Sequence, residues 1–288
     1  MIDAKPPIRW VGGKRKLAPV IVKYLPADLG LYVEPFLGGG AVFLELVRQR
    51  ELSFDAVLSA DRNHGLIGLW ETLQTPQFRA RLSFAEIPDH YLHRRLIWNS
   101  LGPDEQREAP ALFLWLMQRC FNGLWRENAQ GQMNTPEGDG YRPTDWANLL
   151  EVHKALARAK ILRGSYTKVI ANMDSMALPL GGSTFYLDPP YDTHNGRGFV
   201  TYSRGAFGRE DQALLLEMVR YLSRCGARVL ISNAATEWVK GAYKEAGLKV
   251  AEISARRSIG AGLGGAKTAP EVLARNYDDE GKVFAWLK

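Results

Sequence analysis

Residues 33–46 read VEPFLGGGAVFLEL. An apolar run stops at Pro35, crosses Gly38, Gly39 and Gly40, and resumes with the spacing of a helix. Glycines at such a junction let backbone amides at the helix N-terminus approach a ligand closely, and the next strand-like run ends on Asp61, about twenty residues further on. That pairing suits a nucleoside, with the acid accepting hydrogen bonds from ribose hydroxyls. A plain tight connection between strand and helix explains the three glycines as well. The pattern is not G-x-G-x-x-G, which counts against a nicotinamide or flavin dinucleotide.

Outward from this junction the chain keeps alternating. Strand-like runs fall at LYVEPF (31–36), AVLSAD (56–61), KILRGS (160–165), TFYLD (184–188), RVLISN (228–233), KVAEIS (249–254) and KVFAWL (282–287). Helical patterns lie between them, such as AVFLELVRQR after the glycines and REDQALLLEMVRYLSRCG from Arg209. This predicts an α/β fold with a mostly parallel sheet covered on both faces. Acids and glycines at the strand ends then line the carboxyl edge, where open α/β sheets bind ligands. The alternation fails between residues 73 and 158, a span that includes the glycine- and asparagine-rich stretch RCFNGLWRENAQGQMNTPEGDGYRP (119–143). A mainly helical insertion with a long loop or hairpin is expected there, between two parts, 1–72 and 159–288, that build the sheet.

A chain of 288 residues with 46% hydrophobic content can bury a full core, as one large domain or two smaller ones. Its longest apolar stretches, such as ALFLWLM (111–117), fall short of a membrane span, and MIDAKPPIRW has no apolar core for a secretory signal. A cytoplasmic protein without membrane contact is expected. Cys120 and Cys225 lack metal-knuckle spacing and are too few for a disulfide framework, so both are expected as reduced, buried thiols. His64, His90, His93, His153 and His194 show no ligand spacing with cysteine or acid, so no metal is expected. The net charge of +6 is unevenly spread: residues 1–30 carry six Lys or Arg against two acids, and residues 31–72 three against six. The basic segment suits a polyanion, and a solvated basic surface accounts for it equally.

TFYLDPPY (184–191) ends a strand on an acid, two residues without a backbone N–H and an aromatic ring. Asp188 accepts hydrogen bonds at the strand's carboxyl edge, and the two prolines turn the backbone so that the Pro189 carbonyl faces the same point. An exocyclic amino group offers two N–H donors to that pair, and the Tyr191 ring can stack on the base that carries it. An ordinary turn is the competing reading, weakened by the glycine junction in the same chain.

In order along the chain, RWVGGKRKL (9–17), YVEPFLGGGAVF (32–43), RCFNGLWREN (119–128), MNTPEG (133–138), YLDPPY (186–191), FVTYSRGAFGREDQ (199–212) and EVLARNY (271–277) resemble the Dam-type group of S-adenosylmethionine-dependent DNA adenine N6-methyltransferases. The resemblance covers most of the chain. It implies a Rossmann-like methyltransferase fold with an inserted DNA-recognition domain, S-adenosylmethionine as cofactor and double-stranded DNA as partner. The implied reaction is methyl transfer to N6 of a flipped-out adenine, at GATC or a related short site, by a monomer that treats one strand at a time.

Position by position, the resemblance assigns catalysis to Asp188, Pro189, Pro190 and Tyr191. It lines the cofactor pocket with Trp10, Lys14 and Asp188, wraps the methionine portion in Pro35, Phe36, Gly38, Gly39 and Gly40, and gives the ribose to Asp61. Arg9 would lie against DNA, Phe121 and Asn122 would probe the gap left by the extruded base, and Leu124 and Arg126 would read the major groove. Asn134, Pro136, Tyr141 and Arg142 would complete the DNA side of that loop. Without the resemblance, Phe121 reads as a core residue beside Cys120; Tyr202 and Phe207 either flank the flipped base or pack in the core.

Two stretches depart from the family. Where members carry an acid and an aromatic that hold the cofactor's adenine, this chain has Gly164-Ser165-Tyr166; Tyr166 keeps the stacking ring and Ser165 is a weaker partner for the amino group. After MNTPEG, GDGYRP (138–143) replaces the Arg-Tyr pair of GATC-reading members and leaves the target sequence open. Methylation of RNA adenine or protein glutamine, a DNA-binding module without catalysis, and a nicotinamide-dependent oxidoreductase are the competing readings.

Overall fold

The computed structural model describes residues 2–50, 54–59, 63–83, 90–192, 207–256 and 268–278. In chain order its elements are α1 (Ala18–Tyr24), β1 (Leu31–Glu34), α2 (Ala41–Arg50), β2 (Asp55–Ser59), α3 (His64–Gln74), α4 (Phe78–Leu82), α5 (Tyr91–Ser100), α6 (Pro103–Glu108), α7 (Pro110–Arg119), α8 (Trp146–Ala155), β3 (Ala159–Leu162), α9 (Tyr166–Ser175), β4 (Thr184–Leu187), α10 (Arg209–Arg224), β5 (Arg228–Ala234), α11 (Glu237–Glu245), β6 (Lys249–Arg256) and β7 (Thr268–Arg275). The strands form one sheet in the order β3-β2-β1-β4-β5-β7-β6. Strands β1 to β5 run parallel, and β7 lies antiparallel between β5 and β6.

Successive residues of a strand face opposite sides of the sheet, and here both sides are covered. Tyr32, Leu58, Tyr186 and Leu230 enter one core with residues of α1, α2, α3 and α7. Val33, Val57, Phe185, Val229 and Ile231 enter the other with α9, α10 and α11. Burial on both faces is why these strands read as unbroken apolar runs rather than alternating ones. From β1 the chain moves outward to β2 and β3, then crosses back to β4 on the other flank of β1. The carboxyl ends of β1 and β4 therefore open a crevice at the switch point, where α/β sheets take ligands.

The described residues of 73–158 add no strand to the sheet. Among the described residues they supply α4 to α8 and a loop closed by antiparallel bridges Cys120–Glu137 and Glu127–Met133. Trp98, Phe113, Met133 and Leu149 from this span share one buried cluster with Tyr32 and Trp70, so the insertion is packed onto the sheet's own core.

Six of the expected strands are strands. KVFAWL (282–287), Asp61, His194 and Tyr202 lie outside the described residues. The seventh described strand is TAPEVLAR, in which Pro270 hides the strand pattern. The proline is tolerated because it lies one residue beyond the last β5–β7 pair, where its carbonyl accepts from Ala235 N at 3.1 Å and no N–H is required of it. Among the described residues no helix is long and apolar enough to cross a membrane.

Candidate active site

Strand β4 is buried throughout and ends at Leu187, because Pro189 and Pro190 have no N–H with which to extend a ladder. Asp188 thereby enters the crevice, where both its oxygens are engaged. Ser232 Oγ, from β5, donates to Oδ1 at 2.8 Å. Lys14 Nζ lies 2.9 Å from Oδ2, in a pair whose side chains are 7% and 16% exposed. The same ammonium donates to the Gly12 carbonyl at 2.9 Å and stands 4.4 Å from the centroid of the Tyr191 ring. Lys14, expected beside the cofactor, is thus drawn onto the Asp-Pro-Pro-Tyr turn itself.

The turn is held from three further directions. Tyr191 O–H donates to Glu271 Oε2 on β7 at 2.6 Å. Gln212 Nε2 on α10 donates to the Pro190 carbonyl at 2.8 Å, and Asn233 Oδ1 on β5 accepts from Asp192 N at 3.0 Å. Among the described residues none donates to the Pro189 carbonyl, and Pro189 itself is buried. Burial, and then the charges of Asp188 and Glu271, raise the Tyr191 pKa well above the usual phenol value, so the ring stays neutral.

Glu34 closes β1 beside this cluster and is fully buried, accepting from Tyr32 O–H at 2.7 Å. Burial, reinforced by the charge of Asp188, raises its pKa from the ordinary 4.5 to about 8, although hydrogen bonds from Tyr32 and from the Phe43 backbone act the other way. The folded carboxyl keeps its proton over a range in which the unfolded one has lost it. Stability therefore falls as pH rises from about 4.5 to about 8, by about 1.4 kcal/mol per unit at most. Glu34→Gln removes this term. Thermal melts should show the variant's Tm advantage over wild type growing between about pH 5 and about pH 8, whereas an advantage independent of pH would mean that Glu34 titrates normally.

The glycine junction is backed by aromatic rings. Gly38 and Gly40 have φ of +50° and +72°. A Cβ on Gly38 would lie 3.0 Å from the Trp10 ring, and one on Gly40 2.6 Å from the Trp70 ring. Trp10 thus covers the junction from the N-terminal side and packs on Trp125 at 6.4 Å between centroids. Pro35, Gly39 and Gly40 are buried, whereas Phe36 and Gly38 are half-buried. Phe36 and Tyr166 bring their rings to 5.5 Å, with Phe207 edge-on to Phe36 at 6.3 Å. Phe207 is therefore part of this aromatic cluster. Ser165 precedes α9, its hydroxyl 2.7 Å from that of Thr167.

The loop of residues 119–142 is pinned through Thr135, whose hydroxyl donates to the Leu124 carbonyl at 2.6 Å and accepts from Arg126 N at 3.1 Å. Phe121 is 43% exposed, so it is no core residue, and Asn122 beside it has φ of +54°. Pro136 anchors Phe121 by accepting its N–H at 2.9 Å. Arg126 lies exposed, with Nε donating to Asn134 Oδ1 at 2.8 Å and Nη2 to the Asn134 carbonyl at 3.3 Å. Gly123, at φ of +67°, presses so closely on Arg9 that a Cβ would come within 2.6 Å of the arginine Cβ. Burial and then the charge of Arg9 lower the Arg142 pKa. Exposed Tyr141 covers the Arg119 guanidinium at 4.2 Å. Burial pushes the Cys120 thiol up to about 11, so it is no nucleophile at neutral pH.

Glu34, Ser232, Gln212, Asn233 and Glu271 are site residues that sequence reasoning missed. Only Glu34, an acid ending an otherwise apolar strand, carried a local signal.

A family model described as D12 class N6 adenine-specific DNA methyltransferase matches residues 10–259 of this chain. The chain is 34% identical over 277 residues to the DNA adenine methylase of Serratia marcescens, covering 93% of this chain and 96% of the relative. It is 33% identical over 276 residues to the DNA adenine methylase of Escherichia coli (strain K12), covering 93% of each. It is 29% identical over 279 residues to the Type II methyltransferase M.MjaIII of Methanocaldococcus jannaschii, covering 90% of this chain and 93% of the relative.

Proposed function

We propose, for a chain that belongs to the D12 class of N6 adenine-specific DNA methyltransferases, that it extrudes one adenine from duplex DNA and methylates it at a short recognition site. In this reading residues 73–158 meet the DNA, and 1–72 with 159–288 carry out transfer, as a cytoplasmic monomer.

The observation that carries the proposal is the seat of Lys14 Nζ: a nitrogen donor against Asp188 Oδ2 and over the face of Tyr191. An adenine N6 amine makes the same two demands, a carboxylate for its N–H and an aromatic face for its ring. An ionised carboxylate has about four lone-pair sites, so Asp188 retains capacity beyond Lys14 and Ser232.

The crevice also fits S-adenosylmethionine, which supplies an electrophilic methyl group when bound. The Phe36 and Tyr166 rings suit its adenine, the Gly38–Gly40 backbone suits close approach, and the Asp188 carboxylate after β4 suits its positive charge.

Catalysis then follows from the turn. The N6 lone pair is delocalised into the purine ring. With one N–H donated to Asp188 and the other to the Pro189 carbonyl, the nitrogen can become tetrahedral and direct its lone pair at the methyl carbon. The N–C bond forms as the C–S bond breaks and the thioether leaves, positive charge on N6 is stabilised by Asp188, and one N6 proton passes to solvent water.

Extrusion costs a few kcal/mol. Exposed Phe121, carried on the left-handed Asn122 turn, is suited to fill the gap. Asn134 uses the Nε–H and one Nη2–H of Arg126, leaving three N–H groups for a guanine O6 and N7. Arg9 and Arg142 offer positive charge to the phosphate backbone. Leu124, Pro136 and Tyr141 complete this surface.

The test is expression in cells lacking adenine methylation, followed by base-resolved mapping of N6-methyladenine in genomic DNA. One short motif carrying the mark is the expected outcome. Unmarked DNA, from soluble protein that binds S-adenosylmethionine, would refute the proposal.

A further inference from the structure

We propose that Ser232, with Tyr186 behind it, is a positioning residue for methyl transfer: their hydroxyls form a relay of fixed direction that holds the Asp188 carboxylate toward the incoming amine. The inference rests on the role given to Asp188 above.

Ser232 Oγ donates to Asp188 Oδ1 at 2.8 Å, and Tyr186 Oη lies 3.0 Å from Ser232 Oγ. An ionised carboxylate only accepts, and each hydroxyl has a single proton. Once Ser232 commits its proton to Asp188, the contact behind it can be made only by Tyr186 donating. The relay therefore runs one way, from Tyr186 through Ser232 to Asp188. Ser232 is 1% exposed and Tyr186 0%, so water does not compete for either hydroxyl. Burial, and then the charge of Asp188, raise the Tyr186 pKa well above the usual phenol value, which keeps the donor proton in place.

The register of the sheet explains how these groups meet. Parallel strands β4 and β5 pair Tyr186 with Leu230 and Leu187 with Ile231. One step further, Ser232 reaches Asp188. Apolar side chains at 186 and 232 would continue the runs TFYL and RVLI without burying two hydroxyls, which is costly unless both are bonded. The bonds that offset this cost lead to the carboxylate. Ser232 holds Oδ1 while Lys14 holds Oδ2 from the opposite end of the chain, and the two together oppose rotation of the carboxylate.

The test uses the full chain, S-adenosylmethionine and genomic duplex DNA lacking adenine methylation. Ser232→Ala should lower kcat by about tenfold or more, because small misplacements of a reacting group are costly, with both KM values within about twofold. Ser232→Thr, which retains the hydroxyl, should restore most of the rate. Tyr186→Phe should lower kcat by about threefold, and the double variant Ser232→Ala with Tyr186→Phe should be no slower than Ser232→Ala alone, as groups acting in series are not additive. A Ser232→Ala enzyme with wild-type kcat, or a double variant whose loss is the product of the single losses, would overturn the relay. Asp188→Ala is assayed alongside. If it stays active, the assignment of Asp188 fails; if it is dead while Ser232→Ala is unimpaired, the relay alone fails. Should circular dichroism find Ser232→Ala unfolded, Tyr186→Phe at the wild-type rate overturns the proposal by itself.

Discussion

Asp188→Ala should lower methyl transfer by on the order of a thousandfold or more, the scale associated with removing a group that stabilises developing charge. Binding of DNA and S-adenosylmethionine should stay within a few-fold of wild type, since each draws on many other groups. The substitution has a second consequence that the assay must separate. It strips Lys14, 7% exposed, of its carboxylate, and leaving one member of a buried pair uncompensated typically costs about 3–5 kcal/mol. Lys14 keeps the Gly12 carbonyl and the Tyr191 ring, so the loss should lie at or below the low end of that range. Thermal melting checks this first. A folded variant that binds both substrates yet transfers methyl near the wild-type rate would remove Asp188 from the mechanism.

Gly40→Ala should destabilise the fold by about 2–5 kcal/mol: about 1–2 for an L-residue held in the left-handed region and about 1–3 for overpacking. The new Cβ would stand 2.6 Å and 2.8 Å from two carbons of the Trp70 ring. Trp70 cannot readily retreat, because it is fully buried and its Nε1 donates to the Gly38 carbonyl at 3.0 Å. The ring and the glycine turn are locked to each other. Gly131→Ala is the control: φ there is +80°, but nothing lies within 4 Å of the new Cβ. Gly131→Ala should therefore lose only the conformational part. Equal falls in Tm for the two variants would show that Trp70 yields and that packing under the junction is loose.

Much of this was legible in one dimension. Strand and helix periods, the glycines after β1 and the prolines after β4 are local properties, written in side-chain spacing and permitted dihedral angles. They were enough to predict a mostly parallel α/β sheet, a mainly helical span within residues 73–158 and an acid, Asp188, at the carboxyl end of β4. Strand β7 escaped because Pro270 argues against a strand, and only its neighbour relations excuse it.

The sequence by itself determined the alternation of elements, the place of the glycine turn and the acid that ends β4. Tertiary structure alone decided which groups surround that acid: Lys14 from near the N-terminus, Ser232 from β5, Gln212 from α10 and, through Tyr191, Glu271 from β7. It also decided that Phe121 stands in solvent while Cys120 beside it is buried, and that Glu34 holds its proton. The physical reason is that periodicity and turn chemistry act over a few residues, whereas burial, ion pairing and proton affinity depend on strand order and register, which join residues far apart in the chain.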